Sequence, residues 1–481
     1  MRALFDTLAE ALTAHTRPGE FACASLEAEA SDFVRLNGAR IRQAGRVGRA
    51  VARVRLVEGD RQAIHHLTLP GLQADADSMR ALLADAMGAL RASLRDSAPD
   101  PLLDVNRAPV TLNDSDSDSD EGASIHVRTP GLASAAVESG AVESGAVAPS
   151  AAFDRALFLD TVASAAGDAD LVGFCAAGPM ARGFCSSTGA RLWYRRHSVS
   201  FDWSVHLPPD AGSGERKAVK SGWSGERFDP QAVHEAIAQT RRDAQVMARP
   251  VRRLAPGEYR ALFSPRAVAD LLSMLGWGGF SARAHHGGQS PLARLRSGEA
   301  RFSALLNLAE DLGAGFAPRF QTDGYARPER VPLIEQGRFA DWLVSPTTAR
   351  EYGLTSNAAG AYESPDALVM SAGNLSDAQA LQALGTGISL ANLWYLNFSD
   401  RQACRLTGMT RFACLWVEDG EPVGPIEAMR FDDSLFEMLG DRLEALGDTV
   451  VRMPATDTYD GRATGGVAAP GALVSAVRFA L

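Results

Sequence analysis

Strand-forming runs follow one another through residues 393–431. They read Leu393-Trp-Tyr-Leu-Asn397, Leu406-Thr-Gly-Met-Thr-Arg411 and Leu415-Trp-Val-Glu-Asp-Gly-Glu421, with Met429-Arg-Phe431 at the end. Aromatic and branched residues favour strands, and an Asp-Gly pair between two such runs is typical of a tight hairpin turn. The pattern therefore predicts antiparallel strands joined by short turns, with one hairpin at Asp419-Gly420.

Helical periodicity is confined to a few segments elsewhere. Apolar residues at three- and four-residue spacing, with capping residues, predict helices at Asp77 to Leu94, Phe153 to Ala166, Asp229 to about Met247, Pro265 to Leu275 and Ser434 to Leu446. Residues 19–69 and 169–207 alternate as strands do. We predict an α+β protein with an N-terminal antiparallel sheet covered by helices. The C-terminal domain is expected to be mostly β, a twisted or barrel-like sheet with a few helices.

Composition shifts divide the chain into four parts. Residues 1–96 and 151–250 are the two halves of an N-terminal α+β domain, and residues 251–481 form a C-terminal β-rich domain, with Pro250 and Pro256-Gly257 at the boundary. Between the first two lies an insertion at 97–150, which contains an acidic tract, residues 114–121, and the sequence Ala-Val-Glu-Ser-Gly twice in succession. Such a segment buries too little apolar surface to offset its ordering entropy, so we expect it to be flexible.

Composition also restricts the function classes. The 481 residues include 48 Lys+Arg and 58 Asp+Glu, a net charge of −10, and an acidic protein lacks the basic face that sequence-independent binding of nucleic acid requires. Direct nucleic-acid binding is therefore not expected. No run approaches the roughly 18 apolar residues of a membrane span, and the first residues lack a secretory signal pattern. We expect a cytoplasmic protein without a membrane contact.

Familiar catalytic motifs are missing from the sequence. It contains no Gly-x-x-x-x-Gly-Lys-Ser/Thr phosphate loop, no Gly-x-Gly-x-x-Gly and no Gly-x-Ser-x-Gly. Among the histidines, we consider only the pair in His285-His286-Gly-Gly-Gln for a ligand- or substrate-binding role, and we expect this stretch to be a flexible loop. Neighbouring residues of an extended chain point to opposite faces, so this pair supplies at most one ligand to a site.

The strand-rich stretch resembles the TldD/TldE family, whose TldE member is also called PmbA, a family known as peptidase U62 and as modulators of DNA gyrase. Further matches follow in the same order: Pro256-Gly-Glu-Tyr259, Ser290 and Leu292 through Gly298, Leu333-Ile-Glu-Gln-Gly337 and Thr355-Ser-Asn-Ala-Ala-Gly360. The resemblance is good from about residue 256 to the end. From about residue 20 to 250 it is weaker and rests on the order of sheet, helix, helix and sheet.

The resemblance implies a specific loss of function. Active members, the TldD type, look like zinc peptidases with His-Glu-x-x-x-His on the helix after the Pro-Gly segment and a cysteine ligand near the C-terminus. The corresponding helix here, residues 264–275, has no histidine and a single acid, Asp270, and residues 453–470 have no cysteine. The resemblance therefore implies a TldE-type chain that is catalytically silent by itself, with no metal or cofactor of its own. Zinc is expected in a TldD-like partner subunit, and the complex is expected to process extended or unfolded peptides.

Site predictions follow from this interpretation. We expect no catalytic residue, and the candidates for facing a peptide or the partner are Trp394, Tyr395, Asn397, Asp400, Thr407, Thr410 and Arg411. Exposed sheet edges could bind a peptide by strand addition. The sequence also leaves open whether the chain forms a homodimer. One alternative is an independent metallopeptidase with an atypical metal site built from His285, His286 and Asp270. Another is a modulator that binds gyrase or a DNA-associated protein through the acidic tract.

Overall fold

A computed structural model gives the fold and describes residues 1–72, 75–115, 153–209 and 216–480. Most of the predicted insertion, including the acidic tract beyond residue 115, lies outside the described residues. The elements of the N-terminal half are α1 (Arg2–His15), β1 (Phe21–Asn37), β2 (Arg40–Glu58), β3 (Arg61–Thr68), α2 (Ala76–Asp96), β4 (Thr111–Ser115), α3 (Arg155–Ala166), β5 (Asp170–Ser186), β6 (Arg191–His206), β7 (Ala218–Gly225) and α4 (Pro230–Met247).

Strands β1 to β7 form one sheet in the order β3-β2-β1-β5-β6-β4, with β7 also paired to β6. All pairs are antiparallel except β4 with β6. Even-numbered residues of β1 and β2 such as Ala24 and Val54 are buried under α1 and α2, and Val34 and Trp203 are buried under α3 and α4. The four helices therefore cover one face of the sheet, as predicted.

The opposite face of the sheet receives the C-terminal half. Phe320 packs with Phe21 of β1, and the Asp323 carboxylate accepts hydrogen bonds from Arg53 and Arg55 at 3.1 and 3.0 Å. The Arg462 guanidinium donates to the Gly178 carbonyl at 3.0 Å. These contacts join the two halves of the chain through both apolar packing and charged hydrogen bonds.

Residues 97–115, the part of the predicted insertion that the structure describes, contact the rest of the protein. Leu103, Val105 and Val110 pack against the core around Phe21, and β4 pairs with β6. These apolar residues are isolated in the sequence and are partly buried through contact with a distant sheet, so no local pattern predicts their packing.

The C-terminal half contains short elements in close succession. They are β8 (Gly257–Phe263), α5 (Pro265–Leu275), α6 (Ala282–His286), α7 (Ala293–Ser297), β9 (Leu308–Asp311), β10 (Arg330–Glu335), β11 (Arg338–Phe339), α8 (Pro346–Tyr352), β12 (Ala367–Met370), α9 (Ala380–Leu384), β13 (Gly387–Leu390), β14 (Asn392–Asp400), β15 (Arg405–Arg411), β16 (Leu415–Glu418), β17 (Glu421–Pro425), β18 (Arg430–Ser434), β19 (Leu443–Leu446), β20 (Val451–Pro454), β21 (Gly466–Ala469) and β22 (Ala472–Phe479). Two 3-10 turns, Leu312–Ala314 and Asp377–Gln379, and a π-helical turn, Glu437–Asp441, complete the half.

Two sheets enclose the core of this half. A six-stranded sheet has the order β11-β10-β9-β12-β21-β20, and a nine-stranded sheet has the order β14-β15-β18-β22-β8-β13-β16-β17, with β19 on β22. Helix α5 contributes Val268, Leu271 and Leu275 to the core that both sheets share. The α+β class is confirmed, but no sheet in the described part closes into a barrel, so the barrel-like alternative is wrong.

The predicted helix from Ser434 to Leu446 is also wrong. Only residues 435–441 are helical, Gly440 among them has non-helical backbone angles, and the chain continues as β19 on β22. The apolar residues of this segment are buried in the core. Their spacing in the sequence matched that of a helix, although the segment is mostly not helical. Across the described part of the chain, no helix is both long and apolar enough to cross a bilayer.

Candidate functional site

Helix α5 lies where the sequence resemblance places the metal-binding helix of active relatives. The Ser264 hydroxyl caps it by accepting from the Ala267 N–H at 3.1 Å and donating to the Ala391 carbonyl at 2.6 Å. Pro265 occupies the first turn, where a missing N–H costs nothing. The cap and the buried apolar face together hold the helix against β14.

Asp270 is the one acidic residue on this helix. Its Oδ2 atom accepts a hydrogen bond from the Leu393 N–H of β14 at 3.1 Å. Burial raises the pKa of Asp270, and the hydrogen bond and the nearby Arg266 offset only part of that effect. The carboxylate thus joins α5 to the start of β14, which is a structural role.

His285 is buried at the end of the short helix α6, not in a flexible loop. Its Nε2 atom lies 2.9 Å from the Gly279 carbonyl and 3.1 Å from the Ser290 hydroxyl. Because a carbonyl only accepts, Nε2 carries the hydrogen and its lone pair is not available to a metal ion. Burial lowers the pKa of His285 to about 4, so the ring is neutral near pH 7.

His286 is exposed and lies against aromatic side chains. Its ring stacks on Tyr352 with centroids 4.4 Å apart and lies 5.5 Å from the Trp342 ring. Within the described ranges, no three His, Cys, Asp or Glu side chains lie together as a metal site. The alternative set His285, His286 and Asp270 is therefore not assembled, and the residues present do not fit the zinc ion that the resemblance implies for active members.

Glu363 organises this region, and sequence reasoning missed it. The carboxylate is 1% exposed and accepts from the Ser281 hydroxyl at 2.6 Å, the Arg283 N–H at 2.9 Å and the Ser345 N–H at 2.8 Å. It therefore joins the N-terminus of α6 to that of α8. No local pattern marks the residue, because its partners come from two segments distant in sequence.

Three predicted surface residues cluster on β14 and β15. Tyr395 is 77% exposed, its ring centroid lies 5.3 Å from that of Trp394, and the Arg411 guanidinium lies 4.9 Å from the Trp394 centroid. Tyr395 has a positive φ of 51°, at a bulge where the register shifts between Trp394 and Asn397. Such a bulge redirects side chains at a strand edge, so this cluster faces outward.

The remaining candidates lie around this cluster with local partners. Asn397 Oδ1 accepts from the Phe398 N–H at 2.8 Å, and Asp400 Oδ1 accepts from the Gln402 and Ala403 N–H groups at 3.0 Å. The Thr407 hydroxyl donates to the Phe431 carbonyl at 3.1 Å and accepts from Arg430 at 3.0 Å. Thr410 is 3% exposed, and its hydroxyl accepts from the Met429 N–H at 2.9 Å. Contrary to prediction, Thr410 does not face outward.

Strand β14 is an edge strand. It pairs with β15 on one side, and no other strand of the described residues pairs with it. Arg401, which follows it, donates to the Gln289 carbonyl at 2.6 Å and to the Trp277 carbonyl. The edge is thus fixed to the segment that carries His285 and His286. The Leu393 N–H is bonded to Asp270, so the backbone groups that could accept an extended peptide are those that follow Leu393.

Residues 256–481 match the family model described as PmbA/TldA metallopeptidase C-terminal domain. No curated protein matches the chain.

Three solved structures share its fold. TldE from Thermococcus kodakarensis has 14% identity and a TM-score of 0.69, with 100% of each chain covered. A protein from Thermotoga maritima, described as a candidate modulator of a DNA gyrase, has 13% identity and a TM-score of 0.69, with 99% of each chain covered. A similarly described protein from Bacteroides thetaiotaomicron has 13% identity and a TM-score of 0.67, with 100% of this chain and 98% of the other covered. At these identities the likeness shows the fold alone.

Proposed function

The chain belongs to the TldD/TldE (PmbA) family, and on that premise we propose that it is the non-catalytic, TldE-type subunit of a metallopeptidase complex. Its partner is a TldD-like subunit that holds zinc, and the substrate of the complex is an extended or unfolded peptide. This chain supplies docking surface and peptide-contacting surface, and the partner supplies the catalytic metal.

The observation that carries the proposal is the chemistry of helix α5. Zinc in a peptidase needs about three protein ligands, and its affinity depends on the full set. This helix offers one carboxylate, and that carboxylate already accepts the Leu393 N–H. The neighbouring His285 donates through Nε2 to the Gly279 carbonyl. These contacts support a framework helix instead of a catalytic one.

The edge strand β14 supports the second part of the proposal. Its unpaired side, with Trp394 and Tyr395 exposed beside Arg411, combines backbone hydrogen-bonding groups with aromatic surface. In strand addition, main-chain hydrogen bonds provide the affinity and side-chain contacts provide the sequence preference. This mode of binding therefore suits unfolded peptides of varied sequence.

Co-purification with the TldD-like companion from the same organism tests the proposal. The two chains should form a stable complex that cleaves casein, and a chelator should stop the cleavage. This chain alone should cleave nothing at any zinc concentration. As a matched control, the companion with glutamine in place of its motif glutamate should still bind this chain without cleaving casein. Chelator-sensitive cleavage by the isolated chain, or failure of the two chains to associate, would overturn the proposal.

A further inference from the structure

The hairpin of β1 and β2 extends past the end of β3, so part of β2 lies at the edge of the N-terminal sheet. Gly38 and Ala39, both with φ of 55°, form its two-residue turn, as tight hairpins require. Residues 40–48 of β2 are exposed at every position, and the side chains of Ile41 and Val47 are 50% and 40% exposed. β1, on the other side of this stretch, remains paired with β5 as far as Leu36. We name residues 40–48 the basic edge.

One backbone side of the basic edge is unpaired. β3 pairs with β2 only from Val51 onward, and no described strand continues beyond that point. The Leu69 N–H donates to the Ala50 carbonyl, so the backbone groups of Ala50 point toward β3. Because this direction alternates along a strand, the N–H and C=O groups of Gly48, Arg46 and Ala44 point toward the same side. No strand of the described residues covers them there, although the Leu72 side chain lies close to Gly48.

The charge of the hairpin is opposite to that of the whole chain. Residues 35–49 contain arginines at positions 35, 40, 42, 46 and 49 and no acidic residue, in a chain of net charge −10. Arg46 pairs with Asp32 at 2.9 Å, whereas Arg40 and Arg42 form no ion pair within the described part of the chain. The basic edge therefore has both unpaired backbone hydrogen-bonding groups and arginine side chains without an acidic partner.

The same arginines restrict what can bind there. Two copies of the basic edge paired with each other would bring like charges together across the new strand pair, which is destabilising. A register shift leaves Arg42 as an extra residue opposite the Arg35–Leu36 step of β1, and such a bulge ends regular pairing. Residues 43–48 remain as a short edge for one extended segment with acidic side chains.

We propose that the basic edge binds an acidic β-strand of a protein partner. The docked strand would extend the seven-stranded sheet by one strand, with its backbone bonded to Ala44, Arg46 and Gly48. Its carboxylates would lie beside Arg40 and Arg42. The inference rests on the proposed function, since a subunit needs a partner, and it assigns the chemical character of the partner's contacting segment.

Binding of a defined peptide to the full chain tests the backbone part. The probe is a fluorescent, end-blocked octapeptide of alternating Glu and Val, measured by anisotropy. We expect saturable binding that weakens with salt, no binding of the Lys-Val counterpart, and loss of binding when alternate amides of the probe are N-methylated. Equal binding of the N-methylated peptide, or no binding of the probe, would overturn strand addition.

Variants of the edge supply matched controls. Ala44→Pro removes an outward N–H without touching the β1 pairing, and it should weaken binding at least about tenfold, the effect of one hydrogen bond and a steric block. Ala44→Thr keeps the N–H and should bind within about twofold of the wild type. Arg40→Gln with Arg42→Gln should weaken binding, whereas Arg40→Lys with Arg42→Lys should retain most of it. Wild-type binding by Ala44→Pro would overturn the proposal.

Other occupants give different results. Tighter binding of an oligothymidylate than of the acidic peptide would assign the basic edge to nucleic acid. Concentration-dependent dimerisation abolished by Ala44→Pro would assign it to a second copy. Peptide binding seen only after deletion of residues 116–150 would assign it to the chain's own acidic tract. Each of these results overturns the proposal.

Pull-down of the TldD-like companion separates this inference from the proposed function. If the companion binds the wild type and Ala44→Pro equally, the companion does not use the basic edge. The inference then fails for this partner while the proposed function stands. If the companion does not bind the wild type, the proposed function fails, and the peptide measurements still decide whether the edge accepts an acidic strand.

Discussion

Replacement of Glu363 by glutamine is expected to destabilise the C-terminal half by about 2 to 4 kcal/mol. Oε2 of Glu363 accepts from the Ser281 hydroxyl and the Arg283 N–H, and Oε1 accepts from the Ser345 N–H. Glutamine keeps one oxygen, so an amide N–H₂ would face the third donor. A buried donor left without an acceptor costs about 1 to 3 kcal/mol, and the two retained bonds lose the strength that the negative charge gives them.

The pH dependence provides a second readout. Burial raises the pKa of Glu363, but the hydrogen bonds from Ser281, Ser345 and Arg283 outweigh it, so the pKa is lowered overall. A carboxyl group with a lowered folded pKa contributes stability above its unfolded pKa of about 4.3, and that stability is lost as the pH falls through the folded value. The difference between wild type and Glu363→Gln should therefore be full at pH 7 and shrink below about pH 4.

Urea unfolding followed by circular dichroism measures both effects. Glu335→Gln is the matched control, because Glu335 is exposed and the same chemical change there should alter the unfolding free energy by less than about 0.5 kcal/mol. Equal unfolding midpoints for the two variants at pH 7, or a difference that persists unchanged at pH 3, would refute the role assigned to Glu363.

Three further predictions concern the candidate site and the contact between the halves. His285→Gln should keep a donor for the Gly279 carbonyl and should remove the loss of stability that the wild type shows between about pH 6.5 and 4, where a histidine of lowered pKa must take up a proton on unfolding; unfolding measured across this range checks it. Asp270→Asn should keep its acceptor and unfold like the wild type, whereas Asp270→Ala should lose about 1 kcal/mol, with zinc content measured by elemental analysis the same in all three proteins. Gly324→Ala should destabilise more than Gly353→Ala, because both glycines have positive φ but a Cβ at Gly324 would lie 2.2 Å from Phe184 and one at Gly353 would meet open space; equal thermal shifts would contradict this.

Local signals predicted the helices that begin with a strong cap. Asp229-Pro230 and Ser264-Pro265 each place a capping side chain before a proline, and the helices begin at Pro230 and Pro265. The Asp419-Gly420 hairpin is likewise confirmed, with φ of 53° and 82° at the two turn residues. In each case the determining interaction spans a few residues, so the sequence alone contains it.

Features set by distant contacts were not predictable. Residues 97–115 become ordered against the core around Phe21, and residues 434–446 form a π-helical turn and a strand because β22 offers a pairing partner. Glu363 lies 82 residues from Ser281 in sequence. The sequence alone shows that the histidine motif is absent. The hydrogen bond between Asp270 and β14 could not be predicted, because it depends on where two distant segments meet.

Helix α5 shows how this fold can persist without the metal ligands of active relatives. Its position depends on the Ser264 cap, the burial of residues such as Leu271 and Leu275, and the Asp270 bond to β14. Burial of each large apolar side chain stabilises by roughly 1.5 to 3 kcal/mol, so several of them together fix the helix as firmly as a structural metal could. On the proposed function, loss of the ligands removes the metal chemistry without removing the helix. On the same proposal, the framework that α5 supports holds the proposed docking edges, β14 and residues 40–48, in place.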